Sequence, residues 1–339
     1  RVDIIINKYR SEVLPLCVQS VKNLRIKDFE IIFIDDNSSD NSVDIVRNNV
    51  NLIILNKKNK GIGLSRNLGL TRATGDLVVV LDSDLKILRF NLKKIKNLFI
   101  NNRKLIGITG TYYSDPVYDG GWNKALDLRR KYLYKKSDKS FFINFSEFST
   151  FSGGLCVLNR GFAKELLFEK ENNHSGEDIL FELNLLNKGF SFAYEPSFIA
   201  VHMHYRSSIG AFRKLLSEVK GTNWMLLEAI DRKIEIPSLE QVFSFPIFLC
   251  ISFFINNLFI KYLLWGIEFS PVLYILVREK FSMPSIQLLV YCFVFDFYKI
   301  IYCLQILFIS KTSLKSRAYF VYHLLYSGVF SKLRYFKIL

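Results

Sequence analysis

The chain is poor in the residues that build soft-metal and redox sites. Its 339 residues include only four histidines and five cysteines. Cys17, Cys156, Cys250, Cys292 and Cys303 form no CxxC pair and no zinc-ligand spacing, which sets aside zinc modules and CxxC redox sites. They are scattered through apolar surroundings, so reduced, buried thiols are expected, and these favour the cytosolic side for the soluble part. There is no Walker loop, no complete dinucleotide fingerprint and no RNA- or DNA-reading motif. Acidic residues are missing after position 310, where Lys311, Lys315, Arg317, Lys332, Arg334 and Lys337 lie. The net charge of +15 therefore sits partly in this tail, and no nucleic-acid partner is expected. The chain opens on Arg1 without Met and runs straight into Val2–Ile6. A missing N-terminus is the expectation, and the lack of a leader excludes nothing.

Apolar residues, in contrast, are abundant: hydrophobic content is 50 % and Phe alone accounts for 31 positions. The excess lies mainly after residue 240. In the first third, short apolar runs at residues 2–6, 30–34, 52–55 and 77–81 alternate with helix-like stretches at 13–24, 41–48 and 64–73. Such alternation predicts βαβ units around a parallel sheet. Near-continuous apolar strands fit a sheet covered on both faces. Ser38, Ser39 and Asp40 are expected to cap the second helix. Residues 110–150 read as an irregular, polar and aromatic excursion. Order is expected to return with a run at 154–158, a helix at 178–188, a run at 191–194 and an amphipathic helix at 206–230.

Ligands of such sheets bind beyond the carboxyl ends of the strands. Asp35-Asp36-Asn37-Ser38 and Asp82-Ser83-Asp84 both fall there. Carboxylates at the end of a buried run are costly unless paired, and oxygen ligands suit Mg²⁺ or Mn²⁺. Between them, Lys60-Gly61-Ile62-Gly63-Leu64-Ser65-Arg66-Asn67 opens a helix, and a helix N-terminus attracts anions. Each feature alone is also explained by an ordinary turn, a solvated arginine or a capped helix.

In this order, the elements resemble the family-2 glycosyltransferases of the GT-A fold, which use nucleotide-diphosphate sugars. The resemblance covers about residues 2–224. It implies that Asp36 contacts the nucleotide base and Arg66 lies near it or the diphosphate. It implies that Asp84 binds the metal, Mn²⁺ or Mg²⁺, with Asp82 on sugar, ribose or metal. Ser152-Gly153-Gly154 matches the small-residue loop beside the transferred sugar, so Gly153 and Gly154 join the donor site. Gly176-Glu177-Asp178 matches the acceptor-side pair, which makes Asp178 the general base. His202, 24 residues further on, is the expected second metal ligand, with His204 in reserve. Two departures stand out. Asn7-Lys8-Tyr9-Arg10 replaces the family's usual Tyr-Asn edge, and no Gln-x-x-Arg-Trp follows Asp178. The second departure favours a single-addition transferase over a processive synthase.

The expected fold is α/β, a GT-A catalytic domain over residues 1–230 followed by a membrane-associated helical region over 231–339. Residues 242–265 carry no charge up to position 260 and are long enough to span a bilayer. Residues 286–309 are a second candidate span, although Asp296 and Lys299 lie near its middle. The basic tail places both ends at the cytoplasmic side of a cell membrane. The expected activity is inverting, metal-dependent transfer of one sugar from a nucleotide-diphosphate sugar to a hydroxyl acceptor on a glycan or polyprenyl lipid. A polyprenyl-phosphate sugar synthase and an inactive sugar-nucleotide-binding scaffold are the alternatives.

Overall fold

The computed structural model describes residues 1–7, 11–115, 139–143, 151–162, 165–168 and 176–203, with further residues scattered over 117–127 and 210–290. Three βα repeats and a fourth strand open the chain. They run β1 (Val2–Asn7), α1 (Leu14–Lys22), β2 (Phe29–Asp35), α2 (Ser42–Val46), β3 (Leu52–Leu55), α3 (Ile62–Arg72) and β4 (Leu77–Asp82). Then follow β5 (Leu85–Arg89), α4 (Leu92–Asn101), β6 (Leu105–Ser114), β7 (Phe141–Ile143), β8 (Leu155–Asn159), α5 (Glu177–Asn187) and β9 (Ser191–His202). All the elements expected in the first third are present, with the first two helices shorter and the third starting two residues earlier.

Among the described residues the sheet has nine strands, in the order β3-β2-β1-β4-β8-β6-β9-β5, with β7 also paired to β9. Strands β1 to β4 pair in parallel. Strand β8 is antiparallel to both β4 and β6, which restores the original sense at β6 and its parallel neighbour β9. Strands β5 and β7 add antiparallel edges along β9. The result is a mixed α/β sheet, parallel from β3 to β4 and antiparallel about β8 at its middle.

Two apolar cores cover its faces. One gathers Ile5, Ile32, Val78, Leu180, Phe181 and Phe192; the other gathers Ile4, Ile6, Leu14, Phe33, Val79 and Phe198. Residues 4, 5 and 6 fall on alternate faces, as the period of a strand dictates. This explains the unbroken apolar runs, since each strand must satisfy both cores.

Several expectations are revised. Residues 110–114 do not begin an irregular excursion; they finish the ten-residue β6, where Tyr112 and Thr111 give the β-favouring composition. The run at 191–194 extends to His202, because pairing with β5, β6 and β7 satisfies its backbone. The second helix begins at Asn41 without a side-chain cap. Asp40 instead accepts the Ser42 N–H at 3.1 Å and the Ser11 N–H at 3.0 Å. Strand β5 and helix α4 carry no motif and were not anticipated. The described residues of 206–230 are helical, and Met225 and Ala229 pack into the first core. Most of 242–265 and 286–309 lies outside the described residues, as do Asp296, Lys299, His204 and residues 8–10. Among the described residues no helix is long and apolar enough to cross a membrane.

Candidate active site

The carboxyl ends of β1, β2 and β4 form one rim. Asn7 of β1 is opposite Ile34 of β2 on one side and Asp82 of β4 on the other. With a strand between them, the turn carrying Asp36 and the turn carrying Asp82 lie roughly 10 Å apart.

Asp36 is half-buried and serves as a clamp. Its Oδ1 accepts from Asn56 Nδ2 at 2.8 Å and from the Lys60 N–H at 2.9 Å, and its Oδ2 accepts from the Gly61 N–H at 2.8 Å. Three donors to a carboxylate with about four acceptor positions leave little spare capacity. The clamp shapes the loop into α3, where Gly61 sits at φ +87°, a conformation that favours glycine.

Arg66 points inward from the first turns of α3 and is 2 % exposed. Its guanidinium donates to Glu177 Oε1 at 3.0 Å and to Asp82 Oδ1 at 3.2 Å, and lies 5.2 Å from the centre of the Phe168 ring. Burial opposes its charge, yet Asp82, Glu177 and Asp178 outweigh that and hold its pKa above the usual arginine value. Nε has no hydrogen-bond acceptor among the described residues. The arginine thus links the end of β4 to the start of α5. Asn67 beside it holds the Phe168 backbone at both ends, with Nδ2 to O and Oδ1 from N–H, each 2.8 Å.

The glycine pair works by close approach. A side chain at Gly153 would come within 2.7 Å of Arg66 Nη1 and 2.9 Å of Asp178 Cβ, and one at Gly154 would collide with the Asp82 carboxylate. Gly154 O also accepts the Asp82 N–H at 2.9 Å. Asp178, half-buried at the start of α5, accepts the Gly153 N–H at 3.2 Å through Oδ2 and its neighbour Ile179 N–H at 3.0 Å through Oδ1.

Asp84 and His202 meet across the β5–β9 pairing, where Leu85 is opposite His202 and the Met203 N–H donates to Asp84 O at 2.8 Å. Asp84 Oδ2 lies 3.2 Å from His202 Nε2, and the Tyr112 ring stands edge-on to the imidazole at 5.4 Å. Two ligands of one octahedral ion, each about 2.1 Å from it, are separated by about 3.0 Å, so this pair fits a small divalent cation. No cluster of three or more such donors occurs among the described residues. Beneath the rim, Cys17 Sγ lies 3.8 Å from Asp82 O; burial and then the charges of Asp84 and Asp82 push its thiol up, which leaves it inert.

The structure therefore joins Arg66, Asp82, Gly153, Gly154 and Asp178 in one connected set through Glu177. Asp36 borders the set through the loop into α3. Asp84, two residues from Asp82, carries the connection to His202. Sequence reasoning missed the pairing of Arg66 with Glu177, the roles of Asn56 and Asn67, and Glu182. Of these, only Glu182 had a local signal, since it lies one helical turn from Asp178.

Residues 4–167 match the model of glycosyl transferase family 2. A cholesterol galactosyltransferase of Borreliella burgdorferi is 24 % identical over 299 residues, which cover 83 % of this chain and 81 % of that protein. Among solved structures, the mannosyltransferase PcManGT from Pyrobaculum calidifontis in complex with GDP-Man and Mn²⁺ aligns with a TM-score of 0.51 at 16 % identity, over 88 % of this chain and 87 % of that one. S. aureus TarS 1–349 in complex with UDP-GlcNAc aligns at 0.50 and 19 % identity, over 88 % and 89 %. The mixed sheet is that of GT-A proteins, and the chain is a glycosyltransferase. More particularly, the match to the family-2 model lies in the N-terminal part of the chain and covers just under half of it.

Proposed function

We propose that the enzyme transfers one sugar, with inversion, from a nucleotide-diphosphate sugar to a hydroxyl of a lipid-linked or cell-envelope glycan. The observation that carries this reading is the set of contacts from Asp82 through Arg66 to Glu177, whose neighbour Asp178 accepts the Gly153 N–H. It supports a donor-side carboxylate and an acceptor-side carboxylate held at fixed separation.

Asp178 takes the acceptor's hydroxyl proton. Each of its oxygens accepts one backbone N–H and keeps a second acceptor position for that proton. The acceptor oxygen attacks the anomeric carbon as the bond to the diphosphate oxygen breaks, and the nucleoside diphosphate leaves. Gly153 and Gly154 let Arg66, Asp178 and Asp82 close on the loop beside the sugar. Asp36 orders the loop beside the base and keeps one acceptor position for it. Arg66 fixes Asp82 and supplies positive charge beneath it. Asp84 and His202 would hold Mn²⁺ or Mg²⁺, which supplies neutralisation of charge on the departing diphosphate; an imidazole ligand favours the transition ion.

The acceptor class is supported by the relative named for cholesterol. Membrane placement of residues 231–339 is supported by exposed apolar side chains. Phe259, Tyr262 and Leu258 are exposed, as are Val277, Met283 and Val290. A catalytic domain on the cytoplasmic side of that membrane accords with the two buried free thiols, Cys17 and Cys156.

Membranes containing the enzyme, incubated with a panel of radiolabelled nucleotide sugars with and without EDTA, test the proposal. Transfer of label to a lipid-extractable product, lost on chelation and restored by Mn²⁺, is expected. Equal product under chelation refutes the metal assignment, and no turnover of any donor favours a scaffold. Unchanged turnover in Asp178→Asn replaces the hydroxyl acceptor with a lipid phosphate, which needs less help from a base.

A further inference from the structure

Glu182 is fully buried on α5, one turn after Asp178. Its Oε2 accepts the Phe151 N–H at 3.1 Å, while Oε1 has no hydrogen-bond partner among the described residues. A carboxyl in an apolar core with one bond is a costly choice for packing alone. The return is found in the loop before β8. Its three successive amides are each held by a side chain: Phe151 N–H by Glu182, Ser152 N–H by Thr109 Oγ1 at 3.2 Å, and Gly153 N–H by Asp178. The same loop seats Asp82 through Gly154 O.

We infer that Glu182 is a positioning residue for sugar transfer: from one turn behind Asp178 it fixes the loop 151–154, which orients Asp178 and seats Asp82. The inference rests on Asp178 acting as the base. When that residue takes a proton, its hold on the Gly153 N–H loses the assistance of its charge. The loop then depends on Glu182 and Thr109. Glu182 suits that task because burial pushes its carboxyl well up, against the Phe151 hydrogen bond and with Asp178 adding to the rise. Burial thus favours the neutral acid there, and the bond to the Phe151 N–H does not rest on the charge of Asp178.

The test uses the full-length enzyme in membranes or detergent, with Glu182→Gln, Glu182→Leu and Glu182→Asp. Glutamine keeps a neutral acceptor at the same reach, leucine removes it, and aspartate withdraws it by one methylene while leaving a carboxyl. Glu182→Leu and Glu182→Asp are expected to lose about tenfold or more in kcat, on the scale of a small misplacement at the reacting centre, with donor KM within about twofold. Amide hydrogen exchange across 151–154 should quicken in both, and Glu182→Gln should match wild type in both readouts. If leucine does not fold, the aspartate and glutamine variants still decide the matter. Wild-type kcat and protection in Glu182→Asp overturns the inference, and so does damage in Glu182→Gln equal to that in Glu182→Asp. Full turnover in Asp178→Asn would overturn the base assignment instead, while exchange at 151–154 reports separately on the grip of Glu182.

Discussion

The two halves of the sheet hold their carboxylates in different ways. In the parallel half, Asp36 is bound by backbone and side-chain donors from the next loop, 20 to 25 residues on. In the mixed half, Arg66 reaches Glu177 across 111 residues, and Asp178 and Glu182 grip a loop 25 and 31 residues before them. The parallel half is thus held at Asp36 by its own next loop. The mixed half docks a helix onto an arginine 111 residues away, and that arginine joins the two halves.

The largest expected effect lies in the docked half. Asp178→Asn should lower turnover by about 10²–10⁴ with little change in donor KM, which steady-state kinetics with a fixed acceptor can read. Next comes the link between the halves. Arg66→Met leaves Asp82 and Glu177 without their shared cation and should cost about 3–5 kcal/mol of stability, measured by denaturant unfolding; a loss below about 1 kcal/mol would mean that the halves are held independently. Gly154→Ala should displace Asp82 and cost roughly 100-fold in kcat/KM with little change in melting temperature. Asn67→Ala removes both hydrogen bonds to Phe168 and should cost about 1–3 kcal/mol.

The smallest effect is a pH dependence. Burial raises the folded-state pKa of Glu182, so above the unfolded value of about 4.3 the unfolded chain releases a proton that the folded one keeps. Folding then loses stability as pH rises from there to the folded pKa, and is flat beyond it. Glu182→Gln should remove this contribution. Its melting temperature relative to wild type should climb with pH over that window, and a difference constant from pH 4 to 8 would mean that the buried carboxyl does not titrate as its surroundings dictate.

Much of the parallel half was legible because its signals are local. The runs at 2–6, 30–34 and 77–81 must be apolar on both faces, and Asp36 and Asp82 follow where such strands end. Strand β5 and helix α4 were not legible, since Leu85–Arg89 mixes exposed and buried positions and no motif marks either element. Arg66 was legible as a residue of interest but not in its surroundings: a loop arginine looks the same in sequence whether it faces solvent or lies 2 % exposed between two carboxylates. Asp84 and His202 were each singled out by the resemblance, while their meeting follows only from the β5–β9 register.

The amino-acid sequence by itself determined the alternation of strands and helices, the acidic turns at the strand ends and the kind of ligand such turns attract. These depend on residue period, turn chemistry and charge, which act over a few positions. Tertiary structure alone decided that Arg66 faces inward, that Gly153 and Gly154 press against Asp178 and Asp82, and that β9 brings a histidine to Asp84. Those outcomes depend on which distant backbones pair, and pairing is settled by how two cores close over one sheet.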